Sequence, residues 1–410
     1  MFFNKTKWLA LLGGAVLLAA PAVAQESKAI IDALVKKGVI SSDEAKEILA
    51  EAKKAIPVVA VPGARPVTRL SVGGRLQIQY AGLSTDIANT ANDPATTNHF
   101  FLRRIYFGAR ASLGPKWSAN MTYDFARDGF DAALVQWKDG DISVDVGLRK
   151  VNLGYEERTS GASLKSIERS AATRFFVEEN NGRRLGAGAH RVGVFLDGKE
   201  GNFFYGAAIT NPERALNFSV ASGAGNGGNN SPAFWANGGY NGKFNKDGKF
   251  VIGGGLGVLP DQGGKNPGTG WDMTVYTIYA DITSGDFNLA AEFMGADVER
   301  GASATVDSKP TAFWIQPSYK LSKAVELAFR YSYVDSDGRG VNVSDGIRSA
   351  PGGGTHNKLT EMYGGATWFI MGNDLKLQAG IVYGKSEDTL AGGFAEAKVL
   401  GLRSQMQLQF

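Results

Sequence analysis

The nine residues from Leu402 to Phe410, LRSQMQLQF, constrain this chain more than any other stretch. In an extended segment Leu402, Met406, Leu408 and Phe410 fall on one side together with Ser404. Arg403, Gln405, Gln407 and Gln409 fall on the other. A period of two with one face apolar and the other strongly polar describes a strand held between lipid and water. A soluble β-sandwich gives no reason for such an ending.

The opposite end agrees. Lys5 and Lys7 precede an apolar run from Trp8 to Ala20, and Ala22-Val23-Ala24 supplies the small residues of a cleavage site. Residues 1–24 therefore read as an export signal, since the run falls short of the roughly 20 residues that a helical span requires. Residues 25–56 have helical character. Ile30, Ile31, Leu34, Val35 and Val39 group on one face, and Ser41-Ser42-Asp43-Glu44 offers N-cap chemistry before a second apolar set. This is expected to be a short helical periplasmic extension, either an oligomerisation or peptidoglycan-contacting element or a small, loosely attached helical hairpin. A Pro-rich linker, 57–68, joins it to the rest.

With no cysteine in the chain, neither a disulfide scaffold nor a thiolate metal site can form. Mean hydropathy is close to that of a soluble protein. A helical membrane protein would be far more apolar, whereas a membrane barrel hides its apolar residues in alternation. Removing Lys5 and Lys7 with the signal takes the net charge from +4 to +2, so any electrostatic function depends on where the charges sit.

From residue 69 to 410 alternating segments are separated by two kinds of connection. Short turns are expected at Gly114-Pro115, Asp139-Gly140, Gly198-Lys199, Lys246-Asp247-Gly248, Ser284-Gly285, Ser322-Lys323 and Gly372-Asn373. Longer stretches lie at 81–98, 150–188, 211–231, 260–270, 296–310, 335–358 and 385–395, with a tight one at Arg127 to Gly129. Seven turns alternating with eight loops delimit a 16-stranded antiparallel transmembrane β-barrel, an all-β membrane protein of the bacterial outer membrane. Leu375, Leu377, Ala379, Ile381 and Tyr383 against Lys376, Gln378 and Gly380 illustrate the alternation. Trp117, Trp137 and Trp368 fall near turns and Trp235, Trp271 and Trp314 near loops, as interfacial girdles require.

A barrel of this size leaves an aqueous channel unless something narrows it. The longest connection, 150–188, is the candidate. Between Arg149 and Arg191 there are nine basic and five acidic residues, an excess of four that is larger than the charge of the whole mature chain. Folded inward, the loop would carry Arg158, Lys165, Arg169 and Arg174 towards Arg104, Arg110, Arg149 and Arg191 on the wall. Rings of Arg and Lys are what an anion pore uses. Arg75, Arg330 and Arg403 also have lumenal parity, as do Asp124, Asp145, Glu292 and Glu326, so individual arginines can be paired across the wall.

Three runs carry a family likeness: FLRRIYFGARASLGPKWSANMTYDFA from Phe101, VDVGLRKVNLGYEERTSGASLKSIERS from Val144 and RRLGAGAHRVGVFLDG from Arg183. They resemble the phosphate-selective porin family, the O and P type. Arg103-Arg104 match its paired arginines, Gly147 its glycine-bearing strand, and Glu168-Arg169-Ser170 its motif in the constriction loop. The family's proline after that strand has no counterpart in KVNLG, Lys150 to Gly154. The resemblance implies a homotrimeric porin passing small anions or solutes, such as phosphate, through outer-membrane lipid.

Other classes find little support. His99, His190 and His356 map near outer strand ends with no partner at motif spacing, so no catalytic residue is assigned. Asp335 to Gly340 lacks the ligand set of a calcium loop, and no metal, cofactor or nucleic-acid partner is expected. Gly253-Gly254-Gly255 reads as close backbone packing within a strand. The alternatives are a non-selective or carbohydrate porin, with Tyr155 and Phe175-Phe176 as aromatic platforms, and a closed receptor or adhesin barrel.

Overall fold

The computed structural model describes residues 67–410 except 91, 213–230, 263, 265–269 and 389–394. The export signal and helical extension lie outside the described residues, as does the linker up to residue 66. Val67 and Thr68, assigned above to the linker, belong to the first strand. The described residues fall into two compact units, 67–72 with 110–113, and the remainder. In the first, Ser71 Oγ donates to the Arg110 carbonyl at 3.3 Å.

The second unit is a closed antiparallel barrel of sixteen strands. In chain order the strands are β1 (Val67–Ile87), β2 (Thr97–Leu113), β3 (Trp117–Asp124), β4 (Gly129–Asp139), β5 (Ile142–Lys150), β6 (His190–Glu200), β7 (Phe203–Thr210), β8 (Ala233–Lys243) and β9 (Gly248–Leu259). Then follow β10 (Met273–Ser284), β11 (Phe287–Ser303), β12 (Val306–Ser308), β13 (Thr311–Lys320), β14 (Val325–Asp335), β15 (Lys358–Met371), β16 (Leu375–Asp388) and β17 (Ala395–Gln409). Each pairs with its neighbour in sequence. The short β12 is an addition that extends the hairpin beyond β11.

Closure is made by β1 against β17 in the register Arg75↔Gln409 to Ile87↔Ala397, so no strand edge meets lipid. On the inner side of this seam the glutamines of the terminal segment form a ladder. Gln77 donates to Gln407 at 2.6 Å, Gln79 to Gln405 at 2.8 Å and Gln405 to Gln378 at 2.9 Å. Leu402, Met406, Leu408 and Phe410 face outward, 40–54% exposed, so the alternation read from the sequence is the alternation of the wall.

Departures from the expected pattern have local causes. β1 continues past Ala81 to Ile87 because Ala81 and Leu83 point into a packed interior, where Thr85 donates to the Pro351 carbonyl of the loop after β14. Trp235 and Trp314 are buried inside the barrel, donating to Thr210 Oγ1 and Glu292 Oε2 at 3.0 Å each, and are not girdle residues. The β6–β7 turn lies at 201–202, beyond Gly198-Lys199, because Lys199 and Glu200 still pair with Phe204 and Phe203.

Two glycines show what the packing demands. At Gly253 in β9 a Cβ would lie 2.5 Å from the Tyr279 hydroxyl, so the glycine run makes room for an inward aromatic. Gly147 in β5 has φ +133°, and a Cβ there would lie 2.3 Å from the Ala133 carbonyl oxygen of β4. Gly147→Ala adds both strain and overlap. It should cost about 1–3 kcal/mol or more and lower the unfolding midpoint of the detergent-solubilised barrel, measured as loss of heat-modifiable gel migration; an unchanged midpoint would contradict this packing.

Candidate pore constriction

The long connection after β5 folds into the barrel as two short helices, α1 (Tyr155–Arg158) and α2 (Ala171–Val177). Each helix start presents backbone N–H groups without intrahelical partners, and the facing wall supplies acceptors. Glu292 of β11 takes the Tyr155 and Glu156 N–H groups at 2.7 and 3.2 Å. Glu361 of β15 takes that of Ala171 at 2.8 Å, and Ser332 of β14 that of Ala172 at 3.0 Å. Ser170 caps α2 through Thr173 N at 3.1 Å, and its hydroxyl donates to Glu156 at 2.6 Å. The loop is thus fastened across the lumen to strands far from β5.

Packing completes the plug. Phe175 and Phe176 are fully buried in one apolar cluster with Val343, Ile347 and Leu359, so they are not available as sugar platforms. A third short helix, α3 (Val343–Gly346), comes from the loop between β14 and β15. Its Asp345 accepts from Arg183 at 2.6 Å and from Asn181 at 2.8 Å. Arg339 of the same loop donates to the carbonyls of Arg183, Arg184 and Gly264 and to Asn180 Oδ1.

Most of the loop's charges are matched. Glu168 receives Arg103 at 2.6 Å and Arg348 at 3.2 Å; Glu157 receives Arg169 at 2.8 Å and Lys150 at 3.1 Å. Glu178 receives Arg174 at 3.2 Å and Arg184 at 2.7 Å, while Arg330 bridges Glu156 at 3.1 Å and Glu361 at 2.6 Å. Burial by itself would raise the acids. Arg169 and Lys150 nevertheless hold Glu157 down at about 2, and Arg103 and Arg348 hold Glu168 well below the usual carboxylate range.

The sequence-derived candidates separate accordingly. Lys165 lies against the wall, 2.7 Å from Glu326. Arg174 is buried and turned to Glu178 and to the Ser344 and Asp345 carbonyls. Arg191 is buried, donating to Gly186 O at 2.9 Å with its guanidinium 5.3 Å from the Trp235 ring. Arg110 is exposed and belongs to the first compact unit. Arg104, Arg149, Arg158 and Arg169 line an opening of about 900 Å³ on the outer-loop side. A second opening, about 590 Å³, lies on the turn side by Lys138, Asp141 and Lys199. The two share Arg149, Asn152 and Arg158, a candidate constriction.

At that point Arg149 is neutralised by Asp145 and by Asp197 at 2.6 Å. Arg158 is exposed, donates to the Tyr279 hydroxyl at 3.0 Å and rests 5.6 Å from the Phe204 ring. Among the described residues Arg158, Arg104 and Arg75 have no carboxylate within salt-bridge distance. Arg104 donates to Gln77 at 2.6 Å and Arg75 to Ser160 at 3.2 Å, either side of the loop tip at Ser160-Gly161.

Parity named Arg75 as lumenal but did not single it out. Arg103 was hidden by strict alternation, which fails where Asp124 takes the Ile105 N–H at 3.1 Å in place of a neighbouring strand. Arg348 carried no local signal, because only the inward fold of its loop brings it to the opening. His356 Nδ1 lies 2.7 Å from Ser386 Oγ, but that serine is fully buried and so out of reach of a substrate.

Carboxylates with depressed pKa contribute anchoring that is complete above the unfolded value of about 4.5 and is lost as pH falls through the folded value. The share of the anchoring that Glu157 and Glu168 supply should therefore stay in place from about pH 8 to pH 5 and be lost only below about pH 4, towards pH 2. Single-channel recordings across this range should show stable conductance at the upper end and noisy, enlarged conductance at the acid end. Glu168→Gln strands Arg103 and Arg348, a loss of about 3–5 kcal/mol, and should produce the enlarged, noisy state at neutral pH; a quiet wild-type current would overturn the pinning role.

The chain matches the family model "Phosphate-selective porin O and P" over residues 70–410. No curated protein matches it by sequence. Among solved structures, an anion-selective porin from Comamonas acidovorans is similar at 13% identity and TM-score 0.56, covering 83% of this chain and 99% of that one. Salmonella typhi OmpF in complex with daunomycin is similar at 11% identity and TM-score 0.52, covering 83% and 98%. At these identities the likeness is one of fold. The family match over most of its length and the closed sixteen-stranded wall place this chain in the phosphate-selective porin O and P family, as an outer-membrane diffusion channel.

Proposed function

We propose that this channel prefers anions, and that the preference is set by Arg158 at the constriction with Arg104 and Arg75 above it. The observation that carries the reading is the lining of the outer-loop opening, where ten Arg or Lys side chains meet five carboxylates. Six of these cations, Arg103, Arg149, Lys150, Arg169, Arg184 and Arg348, are engaged with carboxylates, and the exposed guanidinium of Arg158 is not. A fixed positive excess in a narrow passage attracts anions and repels cations, and salt screens it over about 10 Å at 0.1 M. The family's description as phosphate-selective supports the same direction.

The roles within the cluster differ. Lys165, Arg169 and Arg174 hold the loop, so the filter rests on side chains that the loop leaves facing the opening. The aromatic rings of Tyr155, Tyr279 and Phe204 line the turn-side opening and favour a second reading, in which a neutral sugar stacks there.

Arg158→Gln should reduce the anion-to-cation permeability ratio by roughly a factor of 2–5, about 0.5–1 kcal/mol for one charge in a watery passage. The reversal potential across a salt gradient measures it, with phosphate block of chloride current as the second readout. A cation-selective wild type, or an unmoved potential in the variant, contradicts the proposal. Block by a neutral oligosaccharide without block by phosphate favours the sugar reading. The barrel is further proposed to be a homotrimer, for which native mass of the solubilised protein should give three copies; a monomeric mass overturns this.

A further inference from the structure

We propose that a chloride-sized anion is held behind the constriction loop by Arg403 and Arg330, as a structural ligand separate from the ions that pass. The two arginines line a cavity of about 10 Å³ together with Glu168, Glu361, Arg169 and Arg348. Arg403 of β17 is 2% exposed, and among the described residues neither of its terminal nitrogens has an acceptor within hydrogen-bond distance; the Nε of Arg330, also buried, has none either. Three unpartnered guanidinium nitrogens therefore belong to two residues that line one small space.

The carboxylates there are already committed. Glu361 accepts from Arg330 Nη2 at 2.6 Å with one oxygen and from Ala171 N at 2.8 Å with the other. Glu168 accepts from Arg103 through both oxygens, from Arg348 at 3.2 Å and from Gln79 at 2.9 Å. Of the four guanidinium groups that line the cavity, Arg169 is paired with Glu157, Arg330 with Glu156 and Glu361, and Arg348 with Glu168 and Glu178, while among the described residues Arg403 has no carboxylate within salt-bridge distance. A buried guanidinium without an anionic partner is costly. A water molecule can accept a hydrogen bond from it but leaves the charge uncompensated, whereas a halide does both.

Size selects the ligand. A cavity of about 10 Å³ lies at the lower bound for one water-sized particle, which favours a monatomic anion such as chloride over a tetrahedral oxyanion. Arg169 and Arg348 border both this cavity and the outer-loop opening. A bound halide would therefore brace the loop from its blind side whichever ion the channel prefers.

The test uses the full-length protein. Crystals grown in sodium bromide, with data collected at the bromine edge, should show an anomalous peak within hydrogen-bonding distance of Arg403 Nη1 and Nη2. In detergent, at one ionic strength, the unfolding midpoint should be higher in chloride or bromide than in gluconate, which is too large to enter. Arg403→Gln should abolish both the peak and the difference in midpoint. If that variant does not fold, the wild-type comparison decides alone. A water at the site with no anomalous signal, bromide only at the surface, or equal midpoints in chloride and gluconate would each overturn the proposal.

Discussion

The passage depends on carboxylates placed where helices begin. A sixteen-stranded wall has no need of a narrow point, and the loop after β5 has no strand partners to hold it inside. Glu292 and Glu361 supply the acceptors for backbone N–H groups at the starts of α1 and α2, and both come from strands across the lumen. Removing a buried carboxylate leaves the donors it satisfied without partners, and that asymmetry fixes one loop position. The acid side chains of the wall are what aim the basic ones of the loop and of the wall itself.

Charge in this lumen serves two purposes that composition cannot separate. One group of arginines is engaged with Glu157, Glu168, Glu178 and Glu361, where the pairs are buried or half-buried and contribute geometry more than field. A smaller group, Arg75, Arg104 and Arg158, is bonded to neutral groups, so its charge reaches the opening. Counting basic residues along the loop gives the sign of the excess. Selecting the residues that express it requires knowing which carboxylates have been used.

Much of the wall was legible in the sequence because lipid and water impose opposite demands on alternate residues. The segments from Leu375 and from Leu402 could be read almost residue by residue. Legibility fails wherever the lumen is filled by protein. Ala81 and Leu83 look like the end of a strand because they are apolar on the water side, yet the side they face is packed. Trp235 and Trp314 sit near loops but turn inward for the same reason. Lys165 and Arg348 are separated from their partners by 161 and 180 residues, a distance over which no local pattern operates.

The seam has a consequence for how the chain is made. Gln77 and Gln407 are 330 positions apart, and the first strand has its closing neighbour only when the last strand exists. Until then β1 and every partial sheet built on it carry an unsatisfied edge, which lipid does not tolerate. Hairpins such as β16 with β17 can form from local sequence, but the pairing that closes the barrel has the largest loop-closure entropy in the molecule. Synthesis from the amino-terminus therefore delivers the closing strand last, and an interrupted chain has no stable membrane form to occupy in the meantime.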